Sequence, residues 1–122
     1  MTAEEYLKRA IQYERLIRSK RQLIIHLMEL SKYVSENSEA NIIDLERQQA
    51  EEVDRYLSLV QEIRQTIEQV GDTRYIEILY RRYFCAETWE TISLNTGYDL
   101  RWVYRLHKQA LRAVDRIINT PL

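Results

Sequence analysis

The chain has 122 residues, 18 Lys/Arg against 19 Asp/Glu, 45% hydrophobic and 30% charged side chains, and only two glycines, one proline and one cysteine. This composition excludes a disordered chain, a turn-rich β fold and an intramolecular disulfide, and no apolar run approaches the roughly 20 residues of a membrane span. Residues 1–72 hold 10 Lys/Arg and 14 Asp/Glu while residues 73–122 hold 8 and 5, so the C-terminal part alone is suited to approach a polyanion.

The opening Met1-Thr2-Ala3-Glu4-Glu5-Tyr6 lacks the basic start and apolar centre of a secretory signal. With a single thiol, the expected location is a reducing cytoplasm. A first helix is predicted from Thr2 to Tyr33 or Val34. Its apolar residues Tyr13, Leu16/Ile17, Leu23/Ile24, Leu27, Leu30 and Val34 recur at three and four, and Lys20 interrupts the seam. At 1.5 Å per residue it is about 50 Å long. The polar run Ser35–Asn41 reads as the tip of a hairpin, with Ser38 or Asn41 as the next cap.

A second helix is predicted from Ile42 to Val70. Val53, Tyr56/Leu57, Val60, Ile63, Ile67 and Val70 carry its heptads, Gln49 and Glu52 weaken them, and Gly71 ends it. Residues 2–70 therefore read as a long antiparallel helical hairpin. Each helix has an apolar face wider than a two-stranded seam needs. A second copy docked there makes a homodimeric four-helix bundle; packing on the chain's own C-terminal domain is the competing arrangement.

Asp72 or Thr73 caps a third predicted helix, Arg74 to Phe84, with Ile76, Leu79, Tyr80 and Tyr83 on its apolar side. Cys85-Ala86-Glu87 connects to a fourth, capped by Thr88 and ending at Thr96. Gly97-Tyr98 turns the chain, and Asp99 caps a fifth helix running to Ile118, stopped by Asn119-Thr120-Pro121. The fold class is all-α, a long hairpin followed by a three-helix domain over residues 72–118.

Thr88–Leu111 has the layout of a helix-turn-helix. Gly97 supplies the positive φ of the tight turn, Ser93 is the small residue at the helix crossing, Ile92 precedes it, and Tyr98, Val103, Leu106 and Ala110 fall at the core positions of the second helix. Trp89 and Leu111 close the core. Thr96 stands where an apolar residue is usual. Ile78-Leu79-Tyr80-Arg81-Arg82-Tyr83, Thr88-Trp89-Glu90-Thr91-Ile92, Thr96-Gly97-Tyr98 and Val103–Leu111 together resemble the fourth region of sigma factors. They are more closely similar to small phage and prophage regulators of the RinA and ArpU late-gene types. The resemblance covers residues 75–114 and extends weakly to Thr2-Ala3-Glu4-Glu5-Tyr6-Leu7. It implies transcriptional control of phage genes through promoter DNA, beside RNA polymerase, in the cytoplasm of a bacterial host. Leu100, Trp102 and Tyr104 replace the polar or basic residues usual in sigma factors, so the promoter sequence those factors read does not transfer.

On the fifth helix, Val103, Leu106, Ala110, Val114 and Ile117 form the expected buried face. Arg101, Trp102, Tyr104 and Arg105 are then expected at base edges, where Arg is suited to bidentate contact with guanine. His107, Lys108 and Arg112, with Thr88 and Thr91 at the start of the fourth helix, are expected at phosphates. The tyrosines at 13, 56, 75, 80 and 83 read as packing residues and Cys85 as a buried or half-buried thiol. His26 and Glu29, three apart, make only an isolated pair. No nucleophile set, phosphate loop or paired-cysteine motif is visible, so no enzyme, cofactor or metal site is expected. Two other readings fit the same layout: a module that binds RNA polymerase or another phage protein, and a small DNA-packaging recognition subunit.

Overall fold

The computed structural model describes residues 1–33 and 37–120, with side chains described for all of these but 37 and 38. It is all-α among the described residues: α1 (Ala3–Leu30), a short 3-10 turn (Ser31–Tyr33), α2 (Asn37–Glu68), α3 (Thr73–Tyr83), α4 (Trp89–Thr96) and α5 (Leu100–Ile118). No described helix is long and apolar enough to cross a membrane. The chain divides into two compact units, one of Met1–Ile11 with Val60–Leu122 and one of Gln12–Leu59. The division does not fall at the 70–72 junction expected from the sequence. The first turns of α1 and the last turns of α2 belong with the C-terminal helices, because their apolar side chains are buried in that unit.

In the larger unit, Ile78, Ile92, Val103 and Leu106 are fully buried, with Tyr75, Trp89, Tyr98 and Trp102 packed around them. Leu7, Ile63, Ile67, Leu79, Ala110 and Val114 are also shut off from solvent. Of the apolar side assigned to α3, Leu79 and Tyr83 are buried. Ile76 is only half-buried, and Ile78 joins the core instead.

The start of α1 is tied down by polar contacts. Thr2 Oγ1 accepts from the Glu5 amide and Glu5 Oε2 accepts from the Thr2 amide, each at 3.2 Å, a reciprocal capping box. The Ala3 amide, another orphan donor of the helix start, reaches Asp115 Oδ1 of α5 at 2.8 Å. Tyr6 is buried, and its hydroxyl lies 2.8 Å from Thr66 Oγ1 of α2; Thr66 in turn donates to the Glu62 carbonyl at 3.2 Å. The stretch Thr2–Leu7 therefore combines a cap (Thr2, Glu5) with a docking face (Ala3, Tyr6, Leu7).

The smaller unit is held differently. Ile24 is the one buried aliphatic side chain among its described residues. The residues that interrupt the heptads are its polar ties. Lys20 pairs with Glu52 at 2.7 Å, Gln49 donates to the Ile17 carbonyl at 3.1 Å, Arg21 approaches Glu46 at 3.6 Å, and Tyr13 stacks on Tyr56. Half-exposed ion pairs of this kind contribute about 0–1 kcal/mol each.

Three boundaries differ by two residues or more from those expected of the sequence. α2 begins at Asn37, so Asn41 is an internal residue and caps nothing; with Glu39 in the first turn beside the positive end of the dipole, the polar run sustains a helix start. α1 closes at Leu30 through a 3-10 turn in which Ser31 Oγ donates to the Met28 carbonyl at 2.7 Å. The expectations for Val34, for the tip at residues 35–36, for a cap at Ser38 and for the stop at Pro121 lie outside what the structure describes. α2 ends at Glu68, two residues short of the expected Val70, and Gly71, beyond Gln69 and Val70, takes the left-handed conformation expected of it at φ +82.

Candidate nucleic-acid interface

α3 is capped by Asp72, whose carboxylate accepts from the Arg74 amide at 2.9 Å and pairs with the Arg74 guanidinium at 2.9 Å. Those contacts, the side-chain hydrogen bond first, hold the Asp72 carboxyl below the usual range. At the other end of α3 the Phe84 and Cys85 amides return to the Tyr80 carbonyl and the Glu87 amide to that of Arg81. This winding places Ala86 at φ +52, where a glycine is the usual residue. The Glu87 carboxylate braces the connection, taking Arg81 at 3.2 Å and Asn95 Nδ2 at 3.0 Å.

Thr88 caps α4, its hydroxyl oxygen accepting from the Thr91 amide at 3.1 Å. Gly97, at φ +78, ends α4 in the left-handed region and donates to the Ser93 carbonyl at 3.0 Å. Ser93 Oγ donates across the turn to the Tyr98 carbonyl at 2.5 Å. Thr96 has its own role at this position: it donates to the Ile92 carbonyl at 2.6 Å while the Tyr98 amide points at its oxygen at 3.3 Å. Asp99 then caps α5 through the Trp102 amide at 2.8 Å. Three residues, Gly97-Tyr98-Asp99, separate the two helices.

α5 has two opposed faces. Val103, Leu106, Ala110 and Val114 are fully buried. Arg101, Tyr104, Arg105, Lys108, Arg112 and Arg116 are exposed and fall within an arc of about 120° on the opposite side. From Arg101 to Arg112 the stripe runs about 16 Å along the axis. None of Arg101, Arg105, Lys108 and Arg112 is in an ion pair among the described residues. Five like charges on one free face repel one another in the absence of an anion.

The aromatic residues set how this face is held. Trp89, half-buried on α4, meets the His107 ring edge-on at 4.5 Å and Tyr104 at 5.5 Å, and the Arg82 guanidinium of α3 lies over it at 4.2 Å. Trp102 packs against the core with Arg105 above its ring at 5.8 Å.

Three sequence expectations need correction. His107 does not face outward. It lies between Tyr83, whose hydroxyl is 2.8 Å from Nε2, and Trp89. Burial pushes its pKa down to about 4, so at pH 7 it is a neutral packing residue with no charge to offer a phosphate. Trp102 is only half-exposed, with much of its ring committed to the core. Cys85 is exposed on the α3–α4 connection, not buried. Thr88 and Thr91 are exposed, but their hydroxyls lie 2.8 Å apart and Thr88 is occupied by its cap. Arg82, which also donates to the Glu87 carbonyl at 3.0 Å, is a cation beside the α4 start that sequence reasoning does not single out. Its only signal there is the Arg81-Arg82 tandem.

No protein-family model, curated protein or solved structure matches this chain.

Proposed function

We propose that this protein binds double-stranded DNA, with α5 as the helix that enters the major groove. The observation that carries the reading is the stripe Arg101, Arg105, Lys108 and Arg112, exposed and unpaired on the face of α5 opposite its buried side chains. A tight turn at a left-handed Gly97 sets this helix off from α4, as in a helix-turn-helix. Arg101 and Arg105, one turn apart near the start of α5, are the base readers, with Tyr104 between them. Lys108 and Arg112, further along, meet phosphates. The sigma-like resemblance of residues 75–114 supports transcriptional control of phage or prophage genes as the setting.

The test is fluorescence anisotropy of the purified protein on duplex DNA at several salt concentrations. Affinity is expected to fall linearly in log–log salt. Arg105→Ala relaxes sequence preference, whereas Lys108→Ala weakens all sequences alike and lowers the salt slope by about 1. Absence of binding at low salt overturns the reading and leaves the three-helix unit as a scaffold for a protein partner.

A further inference from the structure

The three arginines of α3 are held differently. Arg74 is paired with Asp72 at 2.9 Å, and Arg81 with Glu77 at 3.8 Å and Glu87 at 3.2 Å. Arg82 is in no ion pair among the described residues. Two carboxylates stand near it, and both are engaged elsewhere: Glu87 by Arg81 and Asn95 Nδ2, Glu4 by Lys8 at 2.8 Å. Yet Arg82 is not loose. Its guanidinium lies over the Trp89 ring at 4.2 Å and donates from Nη1 to the Glu87 carbonyl at 3.0 Å. A guanidinium carries five N–H donors. None of the Arg82 nitrogens is both buried and unpartnered, so the donors left over open to solvent. A planar cation fixed on an aromatic face has already given up much of the side-chain freedom that binding an anion costs.

This cation stands beside the α5 stripe. Trp89 meets Tyr104 edge-on at 5.5 Å, and Tyr104 is an exposed member of the stripe. By helical phase, Tyr104 lies at the edge of the exposed arc, while Arg101, Arg105 and Arg112 lie further round. Arg82 is therefore offset to one side of α5 by an indole ring. The major groove is about 12 Å wide and a helix with its side chains about 10–12 Å across. A cation offset in this way from a helix in the groove meets the sugar-phosphate wall and not the base edges.

We infer that Arg82 binds a backbone phosphate of the DNA strand that flanks α5 on its Trp89 side, with Trp89 as the positioning residue. Arg82 thus takes the part expected of His107, which touches the same indole as a neutral, half-buried ring. The inference rests on the DNA reading of α5.

The experiment is a salt titration of anisotropy on duplex DNA for wild type, Arg82→Gln, Arg82→Lys and Arg105→Ala, with helical circular dichroism recorded for each. Arg82→Gln is expected to bind every sequence about fivefold more weakly at about 0.1 M salt and to lower the log–log slope by about 1. Arg82→Lys, which keeps the charge and loses the stacked plane, is expected to keep the slope, and neither variant to change sequence preference. A measurement on wild type keeps the test open should Arg82→Gln lose its helical signal. By NMR, the Arg82 Nε–H resonance is expected to shift and to exchange more slowly with water when duplex is added. A slope unchanged in Arg82→Gln, a slope lowered alike in Arg82→Lys, or an Nε–H resonance indifferent to DNA overturns the inference and leaves the reading of α5 standing. A wild type that does not bind DNA overturns both.

Discussion

His107 offers a direct test of how the larger, C-terminal unit is packed. Its imidazole is pushed from an ordinary 6.5 to about 4 by desolvation between Tyr83 and Trp89, with the Glu4 carboxylate opposing and the Arg82 and Lys8 cations reinforcing the shift. Above pH 6.5 the folded and unfolded chains both carry a neutral ring and the residue contributes no pH dependence. Between pH 6.5 and about 4 only the unfolded chain takes up the proton, so stability falls as pH falls; below about 4 the loss is complete. With 1.36 kcal/mol per pKa unit, the ceiling is about 3 kcal/mol, and the part lost between pH 7 and 5 is about 2 kcal/mol. Partial exposure of the ring lowers this to about 1–2 kcal/mol. The assay is urea unfolding followed by circular dichroism at pH 7, 6 and 5, for wild type and His107→Gln. His26 is common to both and cancels in the difference. Wild type is expected to lose about 1–2 kcal/mol more than the variant across this range. Parallel losses, or a His107 ring titrating near 6.5 by NMR, would refute the packing argument and return His107 to the exposed face.

The two left-handed residues flanking α4 predict changes of opposite sign. Gly97→Ala meets nothing within 4 Å of the added Cβ, so its cost is backbone strain alone, about 1 kcal/mol in urea unfolding; Ala86→Gly relieves that strain and is expected to gain about 0.5 kcal/mol. Asp115→Ala removes the acceptor of the Ala3 amide. It should cost about 1 kcal/mol and speed amide exchange at the first turn of α1, and exchange unchanged there would show that this tie is not formed in solution. Ile78→Ala, in a fully buried position, is expected to lose about 2–5 kcal/mol, and Ile76→Ala, half-buried, distinctly less; equal losses would place the core on the wrong face of α3.

Local chemistry alone determined much of this protein. Capping residues Asp72, Thr88 and Asp99, the left-handed Gly71 and Gly97, and the three-and-four spacing of Val103, Leu106, Ala110 and Val114 act within a turn or two of chain. The helices of the C-terminal unit and the exposed stripe of Arg101, Arg105, Lys108 and Arg112 are therefore legible in the amino-acid sequence itself. What depends on distant residues is not. His107 sits on α5 at the edge of its apolar face, and only the arrival of Tyr83 from α3 and Trp89 from α4 makes it a half-buried neutral ring. Ile78 and Ile76 are equally apolar in the sequence, and packing against Ile92, Val103 and Leu106 selects Ile78. Thr2–Leu7 reads as an ordinary helix start until Asp115, more than a hundred residues away, takes up the Ala3 amide. On α1, periodicity shows one broad apolar face. Burial of Ile24 against solvent exposure of Leu23 divides it in two, because a helix paired with a single neighbour covers only one side of so wide a stripe.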